Sequence, residues 1–239
     1  LLESMNEKIT EEEYLLRSAK IAQAIPLLLD AGQFDFLTHC LNTLRRHERE
    51  ATSEKICQAA LSVLKILSPN TTMSKHLKPF LFSGRVDIPG LLTFLMTSGV
   101  QNITWLIDLY LDQSVQASNT LADVLKGFGK SALQEAIARL PNQKPEGLIR
   151  LLRLFQIMDD KSAVPTLKRL YDHEDWNVKR AVIEAIFHFA DPSMRYLLQE
   201  SLHSGNQEHQ LKAVGLICHY RVHDLYEDLI SMVKTFFIS

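Results

Sequence analysis

Apolar residues recur along this chain at i, i+3, i+4 and i+7, the spacing of one face of an α-helix. The pattern itself repeats. Between the stretch Asp175 to Phe189 and the stretch Asn206 to Tyr220, a slide of 31 places Val182 on Ala213, Ala185 on Leu216, Ile186 on Ile217 and Phe189 on Tyr220. The same step backwards reaches Leu151, Leu154, Phe155 and Met158, and a further step of about 30 reaches Leu121, Val124, Leu125 and Phe128. A second helical family lies among these segments: Ala132-Leu133, Ile137 and Leu140; Ala163-Val164, Leu167, Leu170 and Tyr171; Met194, Leu197-Leu198 and Leu202; Leu225, Leu229 and Met232. Breakers and caps mark the joins at Gly127-Phe128-Gly129, Pro141-Asn142, Asp159-Asp160, Asp191-Pro192 and Ser204-Gly205. No alternating Val/Ile/Thr/Tyr run with hairpin turns occurs, so the reading is α throughout.

The N-terminal half follows the same plan with poorer phasing. Glu11 to Leu29 predicts a long amphipathic helix that caps the array. Phe34 to Leu44 and Ser53 to Leu67 predict a hairpin whose linker is the charged run Arg45-Arg46-His47-Glu48-Arg49-Glu50, closed by Ser68-Pro69-Asn70-Thr71-Thr72. Met73 to Phe82, Pro89 to Met96 and Ile103 to Leu111 predict three shorter helices. One two-helix unit cannot bury its apolar faces alone, so neighbours stack and share a core. The expected fold is an all-α superhelix, a solenoid of about six helical hairpins, in a single domain over 1–239 with divergent repeats over 1–112 and clearer ones over 113–239.

Composition narrows the function. With 46% apolar and 23% charged residues the chain has material for a substantial core. A net charge of −2 argues against general attraction to nucleic acid or anionic membrane, which needs a basic domain or stripe. No segment reaches ~18 consecutive apolar residues, so no membrane span is expected. Cys40, Cys57 and Cys218 form no CxxC pair, and each lies in an apolar-periodic stretch. They read as small buried thiols in a reducing compartment, which makes the cytoplasm the expected location. The opening Leu1-Leu2-Glu3, without initiator Met or signal peptide, reads as a fragment of a longer polypeptide.

The sharpest local signature is His173-Glu174-Asp175-Trp176-Asn177-Val178-Lys179-Arg180-Ala181. It resembles the inter-helix turn and second-helix start of HEAT repeats, typically Asp-Pro-x-Val-Arg-x-x-Ala. Trp176 stands for the Pro, Lys179 for the Arg, and Val182 where a small residue is usual. Asp191-Pro192 and Asp160-Lys161-Ser162-Ala163-Val164-Pro165 resemble the turns between such repeats. The resemblance is good from about Gln113 to the end, and is nearest to short bacterial repeats grouped with phycobilisome-lyase-like HEAT sequences. It implies helical hairpins whose second helices line a concave, partner-binding face.

Several constellations invite a chemical reading. Gly127-Phe128-Gly129-Lys130-Ser131 ends like a phosphate-binding loop, but Val124 stands where the first glycine belongs and a helix precedes it, so a helix C-cap is the better account. His47-Glu48 and His173-Glu174 echo the paired motifs with which deoxyhypusine hydroxylases, HEAT-like enzymes, hold two irons. At least four such motifs would have to converge, and these two are read as solvated turn residues. His188 and His219 fall at equivalent points of successive second helices, roughly 10 Å apart and too far to share an ion. Trp105 and Asp108, one turn apart, could mimic the aromatic and acid of alkylpurine DNA glycosylases, which need a basic groove this charge balance does not suggest.

Outward rows in the repeat register mark where a partner would sit. One holds Asp123, Arg153, Glu184 and Gly215, the next Lys126, Gln156, Phe187 and Cys218, and a third Asn119, Ile149, Arg180 and Leu211. From these, with the two histidines, the candidate partner-binding residues are Asp123, Lys126, Arg153, Gln156, Arg180, Glu184, Phe187, His188 and His219. Phe187 either offers an aromatic hot spot or broadens the buried stripe, and Trp176 either folds over the stack edge or faces a partner. Mixed charge fits a protein or peptide rather than polyphosphate. The expectation is a non-enzymatic scaffold for protein–protein interaction, with no catalytic residue, metal, cofactor, nucleic acid or membrane. The alternative is an enzyme on the same scaffold, an alkylpurine DNA glycosylase or a chromophore lyase.

Overall fold

A computed structural model describes residues 10–51, 53–68, 71–83, 87–112 and 118–238. Leu1-Leu2-Glu3, the Pro69-Asn70 stop and Gln113 lie outside the described residues. Fourteen α-helices and three short 3-10 turns lie among the described residues, which hold no strand. The fold is all-α and solenoid-like. Contacts divide the chain into two compact units, 1–135 and 136–239.

The first unit holds α1 (Glu11–Asp30), α2 (Phe34–Glu50), α3 (Glu54–Ile66), α4 (Thr71–Ser83), α5 (Ile88–Ser98), α6 (Gln101–Leu111) and α7 (Asn119–Gly127). The division falls inside α8 (Lys130–Arg139). Thr10 and Glu13 form a reciprocal capping box that starts α1. The core forms where α2 packs against both α3 and α5, around Leu37, Leu41, Leu44, Val63 and Phe94. Phe34 joins it, edge-on to Phe80 with ring centroids 5.3 Å apart.

The charged run 45–50 is not a linker. It is the last turn and a half of α2. Arg and Glu are good helix formers, and the inward stripe of Leu37, Cys40-Leu41 and Leu44 continues one turn further with His47 in place of an aliphatic residue. The Tyr14 hydroxyl lies 3.2 Å from His47 Nδ1, and Arg45 donates to the Ser98 carbonyl at 3.4 Å. His47-Glu48 is therefore helical, while His173-Glu174 lies in a turn. The cysteines also differ from expectation. Cys40 is buried, but Cys57 is half-buried and Cys218 exposed, because both fall on flanks of their helices rather than on the core stripe.

The second unit continues from the end of α8 with α9 (Pro145–Met158), α10 (Val164–Leu170), α11 (Trp176–His188), α12 (Ser193–Leu202), α13 (Gln207–Tyr220) and α14 (Tyr226–Ile238). The repeating stripe is its core: Leu151, Leu154, Phe155, Val182, Ala185, Ile186, Ala213 and Ile217 are all fully buried. α9 packs along α11, α10 against α11, and α12 against α13. Tyr171, at the end of α10, ties it to α12, its hydroxyl 2.7 Å from the Leu197 carbonyl and 2.6 Å from Ser201 Oγ.

The helices of the first-described family end alike. Gly129, Asp159, Ala190 and Arg221, spaced by 30, 31 and 31 residues, follow α7, α9, α11 and α13, and all four are left-handed, with φ of 57°, 54°, 51° and 53°. After α11 and α13 the chain closes with the six-to-one bond of a Schellman turn, Asp191 N–H to the Ile186 carbonyl at 3.2 Å and Val222 N–H to Ile217 at 3.0 Å. Gly127-Phe128-Gly129 is accordingly a helix end and turn. A Cβ at Gly127 would collide with Leu92, so that glycine lets α7 approach α5.

Candidate functional site

Between α11 and α13 lies an open groove of about 330 Å³. Its walls are Trp176, Asn177, Arg180 and Glu184 from α11, and Lys212, Gly215, Leu216 and His219 from α13. The helices touch through aromatic pairs at both ends. Trp176 stacks on His209 with ring centroids 4.9 Å apart, and Phe187 packs on Tyr220 at 4.1 Å. Two caps aim these helices: Asp175 accepts from Asn177 N–H at 2.7 Å, and Asn206 accepts from Glu208 and His209 N–H at 2.9 and 3.2 Å.

Gly215 opens the middle. It sits well inside α13, where glycine costs about 1 kcal/mol relative to alanine. A Cβ there would meet nothing within 4 Å, so packing within the chain does not call for the exchange. The missing side chain leaves a bare stretch of helix backbone on the groove floor.

The charges alternate. Arg180 Nε donates to Glu184 Oε1 at 2.8 Å, and Lys212 pairs with Glu208, holding that carboxyl below the usual carboxylate range. Both are exposed pairs one helical turn apart, weak enough to exchange partners. Trp176 is the exception to this solvated chemistry. It is 6% exposed, with Lys212 Nζ 5.8 Å from its ring centroid, and its Nε1–H is buried with no hydrogen-bond acceptor among the described residues. A buried donor left unmade costs about 1–3 kcal/mol.

Of the candidate residues, Arg180, Glu184 and His219 come together in this groove. Phe187 is half-buried against Tyr220 and does not line the groove, so it broadens the packed surface. His188 is exposed, its Nε2 3.1 Å from Asp159 Oδ1. On α9, Arg153 is exposed and Gln156 half-buried, and neither lines the groove. Asp123 and Lys126 are exposed on α7, in the first unit. Trp105 is half-buried and Asp108 exposed on α6. Among the described residues no three of His, Cys, Asp and Glu gather to hold a metal ion, and no helix is long and apolar enough to cross a membrane.

The rows missed Asn177, Lys212 and Leu216, and left Trp176 undecided. A row compares one angular position on successive helices, whereas a groove is walled by opposite flanks of two neighbours. Arg180 therefore shares the groove with Lys212 rather than with its repeat equivalent Leu211, which is 70% exposed. Gly215 was in a row, and its signal was the cost of glycine inside a helix.

A second depression of about 440 Å³, lined by Ile137, Leu140, Leu148, Arg169, Leu170 and His173 among others, contains none of the candidates. No curated protein and no solved structure matches the chain. The family model for HEAT repeats matches residues 131–214, from the start of α8 into α13. That stretch, which holds the left-handed helix ends at Asp159 and Ala190 and much of the shared core, is similar to HEAT repeats.

Proposed function

We propose that the chain is a non-catalytic interaction module whose α11–α13 groove holds a segment of a partner protein. The observation that carries this reading is Gly215: helix stability is given up at a place where no described residue needs the room, and the room opens onto the groove. HEAT repeats commonly serve as protein-interaction scaffolds, which adds support. A glycosylase would call for a basic groove, and this one carries both signs. Three free cysteines are consistent with action in the cytoplasm.

The test is affinity capture with the whole chain as bait against two variants, Gly215→Leu and Arg180→Glu. Phe187 is left intact, because its contact with Tyr220 makes it a packing residue too. A protein held by the wild type and released by both folded variants supports the reading. A partner that binds all three equally, or capture of nothing but nucleic acid or a small molecule, refutes it.

A further inference from the structure

We infer that the partner segment runs extended across the groove and sets one acidic side chain among Trp176, Arg180 and Lys212. This rests on the groove being the binding site. Hydrogen-bonding capacity in the groove is lopsided. Trp176, which lines the groove, has a buried Nε1–H without an acceptor among the described residues, and Arg180 and Lys212 only donate. The carboxylate that lines the groove, Glu184, already accepts from Arg180, which leaves Asn177 and His219 as the other side chains of the lining able to accept. Two cations, Arg180 and Lys212, stand in the groove lining against one lining carboxylate, Glu184, while Glu208, outside the lining, balances Lys212. A carboxylate supplies both the acceptors and the charge, and can draw Lys212 from its solvent-exposed pairing with Glu208.

The floor suits an extended backbone. Gly215 presents no side chain, so a main chain can lie close to α13 while its side chains alternate between groove and solvent. The aromatic pairs Trp176–His209 and Phe187–Tyr220 tie α11 to α13 on either side of this stretch. A basic helix would meet Arg180 and Lys212 with like charge.

The experiment is selection of random ten-residue peptides displayed on phage against the full chain, repeated on Lys212→Glu, Lys212→Gln and Gly215→Leu. Circular dichroism checks that each variant is helical. Selected peptides should share one Asp or Glu position. That preference should fade on Lys212→Gln and turn to Lys or Arg on Lys212→Glu. Replacing the shared residue by its amide in a synthetic peptide should weaken binding about tenfold. Titrating the acidic peptide into a Trp105→Phe variant, where Trp176 is the remaining indole, should shift the emission. Peptides that Gly215→Leu abolishes but that share no acidic position, or that ignore both Lys212 changes, overturn the inference and leave the groove a peptide site. Failure to select any peptide, or peptides indifferent to Gly215→Leu, overturns the groove itself.

Discussion

Two glycines inside or at the end of helices have opposite meanings here. Gly127 is in close contact, since a Cβ there would displace the Leu92 side chain, whereas Gly215 faces open space. Gly215→Ala is therefore expected to stabilise the chain by about 0.5–1 kcal/mol, read as a higher urea midpoint at constant slope. A loss of stability would mean that the floor of the groove is already occupied from within. His47 makes the second prediction at this scale. Burial, and then Arg46, hold its imidazole below the ordinary 6.5. As the pH falls, the unfolded chain takes up that proton before the folded one does. The stability His47 carries is thus complete above about pH 6.5 and is lost as the pH falls through that value towards the folded pKa. Urea unfolding of the wild type and His47→Gln at pH 7.5 and 5 should show a smaller acid loss in the variant. An equal loss in both would assign the acid sensitivity elsewhere.

Helices decide what could be read from residues alone. The second helices of the clear repeats were legible because each carries an unbroken apolar stripe that survives a slide of 31 residues. α2 was cut short because its stripe passes from leucine to histidine, and the pairing that buries His47 comes from Tyr14, 33 residues away. Walls of the groove were only half legible for a related reason. Repeat register fixes equivalent positions, but the facing flank of the next helix depends on how the two helices turn towards each other. Trp176 shows the same limit: the usual Pro of this turn needs no partner, whereas the indole finds His209 on α13. The start of α11 is set by a single carboxylate. Asp175→Ala should cost about 1 kcal/mol through the lost cap and loosen Trp176 and Arg180, which a thermal melt and the indole emission would register together. An unchanged melt would show that tertiary contacts alone hold that end of the helix.

Across the molecule, stability in a repeat array is a sum of neighbour terms, so damage spreads only as far as contact does. Ile186 is fully buried in α11, and Ile186→Ala should cost about 2–5 kcal/mol. Hydrogen exchange should then lose protection first in α9, α10, α11 and α12, which pack on that helix, and less in α14. Uniform loss through α14 would point to one cooperative block instead. The left-handed residues that end α7, α9, α11 and α13 bear on how such a chain diversifies. Glycine, aspartate, alanine and arginine occupy one and the same bend. What is inherited at that bend is a direction of travel, not a side chain. Each copy can spend the position differently, as Asp159 does in reaching His188, while the next helix still departs along the same path. Kinship among the copies is therefore better preserved in their torsion angles than in their letters.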